Sequence, residues 1–114
     1  MRIRRGHVYV VDFTPRVRTK PGKLRPAIVI QDDLVNEAGY PSTIVVPTTT
    51  RLADTGTPLR LRLTAGTAGI DRDSDVLVGQ MIAVANESFR KELGVLPEDL
   101  LGVLSGKLRL ILGL

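Results

Sequence analysis

A chain of 114 residues, 43% of them apolar, has a globular rather than a disordered composition, and one domain spanning 1–114 around a single core is expected. The absence of cysteine excludes a disulfide framework, a thiolate nucleophile and a Cys-based zinc site, and no apolar run approaches the roughly 18 residues that a membrane helix needs. Residues 1–25 carry eight Lys or Arg against the single acid Asp12, leaving the other 89 residues about three charges negative within a formal total of +4.

Gly6 to Phe13 predicts a first strand, rich in Val and Tyr. Thr14 to Leu24 follows as a loop punctuated by Pro15 and by Pro21-Gly22, a pair suited to a type II turn. It carries Arg16, Arg18, Lys20 and Lys23 and is expected to form an exposed, positively charged flap. Arg25 to Gln31 predicts a second strand, entered through Arg25, which Pro26 biases towards an extended backbone. Asp32 to Ser42 is a polar connection with room for a short helical turn. Thr43 to Val46 returns as a third strand and runs into Pro47-Thr48-Thr49-Thr50, where the chain is expected to leave the ladder.

Leu59, Leu61 and Leu63 alternate with Arg60, Arg62 and Thr64, the period of a strand with one buried face and with both arginines outward. Gly66 to Asp75 is rich in turn residues, and Val76 to Ala85 predicts one apolar strand interrupted by Gly79 and Gln80. Pro97-Glu98-Asp99 opens a C-terminal helix with acids at the positive end of its dipole, and Leu100, Leu104, Leu108 and Ile111 follow at helical spacing. The fold class is therefore mainly β, a small bent antiparallel sheet or barrel with a covering C-terminal helix. The basic start MRIRR runs into valines alternating with Tyr9 and Asp12, which is not a signal-peptide pattern, so a cytoplasmic location is expected.

A basic edge on a near-neutral body suits a phosphate-bearing partner, and it also suits a face that is merely solvated. His7 is the only histidine, so one chain cannot divide acid and base work between two, and packing or hydrogen bonding within its strand is the expected role. Asp71, Asp73 and Asp75 have the spacing of a calcium loop, but Val76 stands where that loop needs glycine and Ile82 where it needs a bidentate Glu, so no metal site is expected. Gly66-Thr67-Ala68-Gly69 lacks the Gly-Lys-Ser or Gly-Lys-Thr of a phosphate loop. What remains is Arg25 and the run Thr48, Thr49, Thr50: a phosphate-binding group and hydroxyls at strand ends. That is sufficient for chemistry on RNA, which carries its own 2′-hydroxyl nucleophile and needs it aligned while the crowded phosphorane is stabilised.

In these residues the sequence resembles the MazF/PemK family of toxins from bacterial toxin–antitoxin systems. The resemblance runs in order through Gly6-His7-Val8-Tyr9-Val10-Val11-Asp12-Phe13 with Pro15, Arg25-Pro26-Ala27-Ile28-Val29-Ile30-Gln31, and Val45-Val46-Pro47-Thr48-Thr49. It continues through Asp73-Ser74-Asp75-Val76 ahead of Gln80, Leu93-Gly94-Val95-Leu96, and Leu108 to Leu114. It implies an SH3-like small barrel, a homodimer, and an endoribonuclease cutting single-stranded RNA at short sequences. It further implies a reaction without metal or other cofactor that leaves a 2′,3′-cyclic phosphate and a 5′-hydroxyl, and an acidic antitoxin as cognate partner.

By position, Arg25 matches the family's catalytic arginine and Thr49 its catalytic threonine. An arginine is a poor general base at neutral pH, so Arg25 is cast as phosphorane stabiliser, able to donate a proton to the leaving oxygen, with Thr49 on a phosphate oxygen and the base unassigned. Asp12, Phe13, Arg16, Arg18, Lys20, Lys23, Thr48, Thr50, Arg51 and Gln80 are candidates for RNA contact. The chain departs from many relatives at Ile82, where they carry a basic residue. Two other readings stay open: a non-catalytic RNA-binding module, and a protein inhibitor of the gyrase-poison type, although such poisons depend on a C-terminal tryptophan and this chain has none.

Overall fold

A computed structural model describes residues 1–13, 23–54 and 57–114. The elements run β1 (His7–Asp12), β2 (Leu24–Val29), α1 (Asp33–Glu37), β3 (Ser42–Thr49), β4 (Arg60–Leu63), β5 (Ser74–Leu77), β6 (Ile82–Ala85), β7 (Phe89–Val95) and α2 (Glu98–Leu112). The expected turn at Pro21-Gly22 and the flap residues Pro15, Arg16, Arg18 and Lys20 lie outside the described residues. Among those described, the strands form a bent antiparallel sheet in the order β4-β5-β3-β2-β1-β7, with β6 also paired to β3, and the path does not close. No described helix is long and apolar enough to cross a membrane.

The central strands read as nearly unbroken apolar runs because both of their faces are buried. Val8, Ile28 and Val46 point into a core that Leu61, Leu63, Val76 and Leu96 share with Leu104 and Leu108 of α2. Their neighbours Tyr9, Val11, Ala27, Val29 and Val45 point into a second cluster completed by Val84 and Phe89. Leu104 is fully buried, and burial of such a side chain contributes about 1.5–3 kcal/mol. Gly113, at a φ of +71°, ends α2 in the left-handed conformation that glycine adopts without cost.

Three expectations need correction. β3 continues beyond Pro47 to Thr49: the chain leaves β2 there, but Thr48 and Thr49 pair with Val76 and Asp75 of β5. Val76 to Ala85 is not one strand, because a 3-10 turn over Val78–Gln80 separates β5 from β6, each paired to a different stretch of β3. β7 was not among the predicted strands; Arg90, Lys91 and Glu92 interrupt its apolar pattern, yet it pairs with β1 along the sheet edge. Its Leu93-Gly94 segment also crosses the turn at Ala68-Gly69 so closely that a Cβ on Gly94 would stand 2.6 Å from the Ala68 carbonyl, which is why glycine is needed there.

Candidate active site

β2 and β3 are bonded as far as the pair Ala27–Pro47 and then part. Neither Pro26 nor Pro47 has an N–H to give, so the ladder loses donors at this point. Thr48 spans the parting strands instead: it is 2% exposed, and its hydroxyl donates to the Pro26 carbonyl at 2.8 Å. Two residues outward from Ala27 and Pro47 along their own strands stand Arg25 and Thr49, which both line the opening.

The opening is a cleft of about 510 Å³ lined by Lys23, Leu24, Arg25, Pro26, Thr48, Thr49, Thr50, Arg51, Ile70, Asp71 and Ser74. Among the described residues of this lining three cations, Lys23, Arg25 and Arg51, meet the single acid Asp71, so its field favours anions. Thr49 is half-buried, and its hydroxyl oxygen accepts from the Arg51 amide at 3.2 Å, which leaves its proton to be donated into the cleft. Thr50 and Arg51 are exposed. Among the described residues no acid pairs with Arg25.

Six of the twelve residues expected at the site therefore come together: Lys23, Arg25, Thr48, Thr49, Thr50 and Arg51. Asp12, Phe13 and Gln80 are not in the lining. Asp12 Oδ2 accepts from Arg90 Nη2 at 3.2 Å, Phe13 packs against the second core cluster, and Gln80 is exposed in the 3-10 turn after β5. Arg16, Arg18 and Lys20 lie outside the described residues. Leu24, Pro26, Ile70, Asp71 and Ser74 line the cleft as well; only tertiary folding brings Ile70 and Asp71 here, since in sequence they open the turn that reads as a failed calcium loop. Among the described residues no three His, Asp or Glu side chains converge to hold a metal ion. His7 sits on the other end of β1, with Nδ1 2.8 Å from Glu92 Oε1.

Asp75, opposite Thr49 in the β3–β5 register, is 2% exposed. Burial is the largest influence on its carboxyl and pushes its pKa up, but hydrogen bonds from Arg62, the Ala53 amide and Arg60 together outweigh it and hold it down at about 2. Arg60 and Arg62 thus do not merely face solvent, as the alternation on β4 suggests; this carboxylate recruits both.

The bent sheet with its covering helix matches known proteins along nearly the whole chain. The sequence profile of the PemK-like, MazF-like toxins of type II toxin–antitoxin systems fits residues 4–112. Endoribonuclease EndoA of Bacillus subtilis (strain 168) is 28% identical over 114 residues, all of this chain and 97% of that protein. The MazF of a MazE–MazF crystal structure from Deinococcus radiodurans superposes with a TM-score of 0.80 at 28% identity, covering 100% of this chain and 98% of that one. A mycobacterial endoribonuclease in complex with its cognate antitoxin shares the fold at 15% identity, with a TM-score of 0.78 over 98% of this chain and 96% of that one. The chain belongs to the PemK-like, MazF-like toxin family.

Proposed function

We propose that this chain is a metal-independent endoribonuclease toxin that cuts single-stranded RNA at a short sequence. The observation that carries the reading is the convergence of Arg25 and Thr49, from two strands that part at two prolines, on one cationic cleft. Lys23 and Arg51 hold the RNA backbone by charge, and Thr50 offers a further hydroxyl. The 2′-hydroxyl oxygen attacks the adjacent phosphorus as its proton passes to water, which afterwards restores the proton that Arg25 gives up; the bond to the 5′-oxygen breaks, and the products are a 2′,3′-cyclic phosphate and a 5′-hydroxyl. Arg25 grips two phosphate oxygens with its planar fork as charge builds on them, and it gives the leaving 5′-oxygen a proton. Thr49 donates to a non-bridging oxygen. Likeness to EndoA and to the antitoxin-bound toxins supports RNA as the substrate class and an antitoxin as the partner; on this reading the toxin is a cytoplasmic homodimer whose basic surface draws an acidic antitoxin.

Purified protein incubated with a long, weakly structured RNA in excess EDTA is expected to give discrete cuts that share a short sequence and bear 5′-hydroxyl ends. Arg25→Ala is expected to stay folded and lose cleavage. Cleavage that needs added metal, or that Arg25→Ala leaves unchanged, would refute the assignment.

A further inference from the structure

Beyond Thr49 the chain runs irregularly through residues 50–54, and the first two of them, Thr50 and Arg51, line the cleft. A segment without strand partners owes its position to side chains, and here they converge on Asp75. Its Oδ2 accepts from the Ala53 amide at 2.9 Å and from Arg60 Nη1 at 3.0 Å, and its Oδ1 accepts from Arg62 Nε at 2.5 Å. The two arginines reach past it to the same backbone: Arg60 Nη1 also donates to the Arg51 carbonyl at 2.8 Å, and Arg62 Nη2 to the Ala53 carbonyl at 2.7 Å. One buried carboxylate and two guanidiniums thus grip both polar backbone groups of Ala53 and the carbonyl of Arg51, while Asp75 itself stands opposite Thr49 on the paired strand.

We propose that Asp75, acting through Arg60 and Arg62, is a positioning residue that sets Thr49 and Arg51 at the cleft wall; the proposal rests on the ribonuclease reading of that cleft. The chemistry explains why a carboxylate is needed. Only an ionised acceptor with two oxygens serves two arginines and an amide at once, and burial removes the water that would otherwise compete for them. A misplacement of about 1 Å in a catalytic group costs on the order of 100-fold in rate, so a clamp that does no chemistry still governs turnover. It also accounts for two of the chain's arginines without assigning them to RNA.

The test is steady-state cleavage of a short fluorogenic RNA carrying the parent's own cut sequence, by the parent, Asp75→Asn, Arg51→Ala and the double variant, with hydrogen exchange of the Ala53 amide alongside. Asp75→Asn is expected to lose about tenfold in kcat, and to raise KM severalfold in the parent background but not in the Arg51→Ala background, where the placed contact is already gone. The Ala53 amide is expected to exchange about tenfold faster while amides of β1 and β2 keep their parental rates. Should Asp75→Asn fail to fold, Arg62→Ala, which removes one strap through a half-exposed side chain, carries the same expectations at smaller size. A folded variant with parental kcat and KM, or with the same KM change in both Arg51 backgrounds, overturns the proposal. A parent that cuts no RNA overturns the underlying reading instead, and the parental reaction alone distinguishes that result.

Discussion

At the end of β1 and β2 that adjoins α2, Arg5 is spent on the protein itself: Nη1 donates to the Ile30 carbonyl, Nη2 to Ser105 Oγ at 2.8 Å, and its amide to Asp33 Oδ1 at 2.8 Å. At the opposite end of the same ladder, Arg25 enters β2 half-buried, and among the described residues no acid meets it. The two arginines have the same chemistry and opposite surroundings. One is satisfied by internal acceptors and ties the helix to the sheet; the other lines the cationic cleft, where on the proposed reading its donors meet RNA phosphate. Guanidinium donors left unmatched beside a cationic cleft are the physical mark of an anion site, whereas arginine content alone is not.

Arg25→Ala is expected to reduce kcat/KM by about 1,000-fold with an unchanged melting temperature, as for loss of a charged transition-state contact. Arg5→Ala is expected to lower stability by about 1–3 kcal/mol and to leave the activity of the folded fraction at the parental level. A thermal melt and a rate on the same preparations read both, and reversed results would refute the division. The two neighbouring threonines repeat the contrast at smaller scale. Thr49→Val is expected to cost on the order of 100-fold in kcat, and Thr48→Val about 1 kcal/mol of stability through the bond to Pro26.

Asp75 titrates at about 2 in the folded protein, below the ordinary 3.8, so its contribution is fully present above that ordinary value and is lost as pH falls through about 2. The difference in melting temperature between the parent and Asp75→Asn is therefore expected to be constant above about pH 5 and to shrink on acidification below about pH 4. The smallest expected effect concerns the acid in the cleft lining. Asp71→Asn removes the only negative charge among the described lining residues and is expected to lower KM for RNA about twofold and to steepen its salt dependence, measured by KM across a salt series.

Local pattern in the sequence determined much of this protein. The apolar runs of β1 and β2, the alternation of Leu61 and Leu63 on β4, and the helical spacing of Leu104 and Leu108 are periodicities that each element carries within itself and that the structure keeps, whereas Leu59, expected on the same buried face, is exposed in the turn before β4. Arg25 and Thr49 stood out by resemblance to a family, whereas the charge of residues 1–25 did not tell that Lys23 and Arg25 line a cleft while Arg5 turns to internal acceptors. Tertiary structure decided the rest, because a strand's own pattern tells which faces are buried but not which neighbour it pairs with. That is why β7, held to the edge by pairing with β1 rather than by an apolar period, was not foreseen, and why β3 was expected to stop at Pro47 when it only changes partner. The same change of partner brings Arg25 from one strand and Thr49 from another to a single cleft and sets Asp75 behind them, a juxtaposition of residues as far apart as 25 and 75 that only pairing in the folded sheet can create.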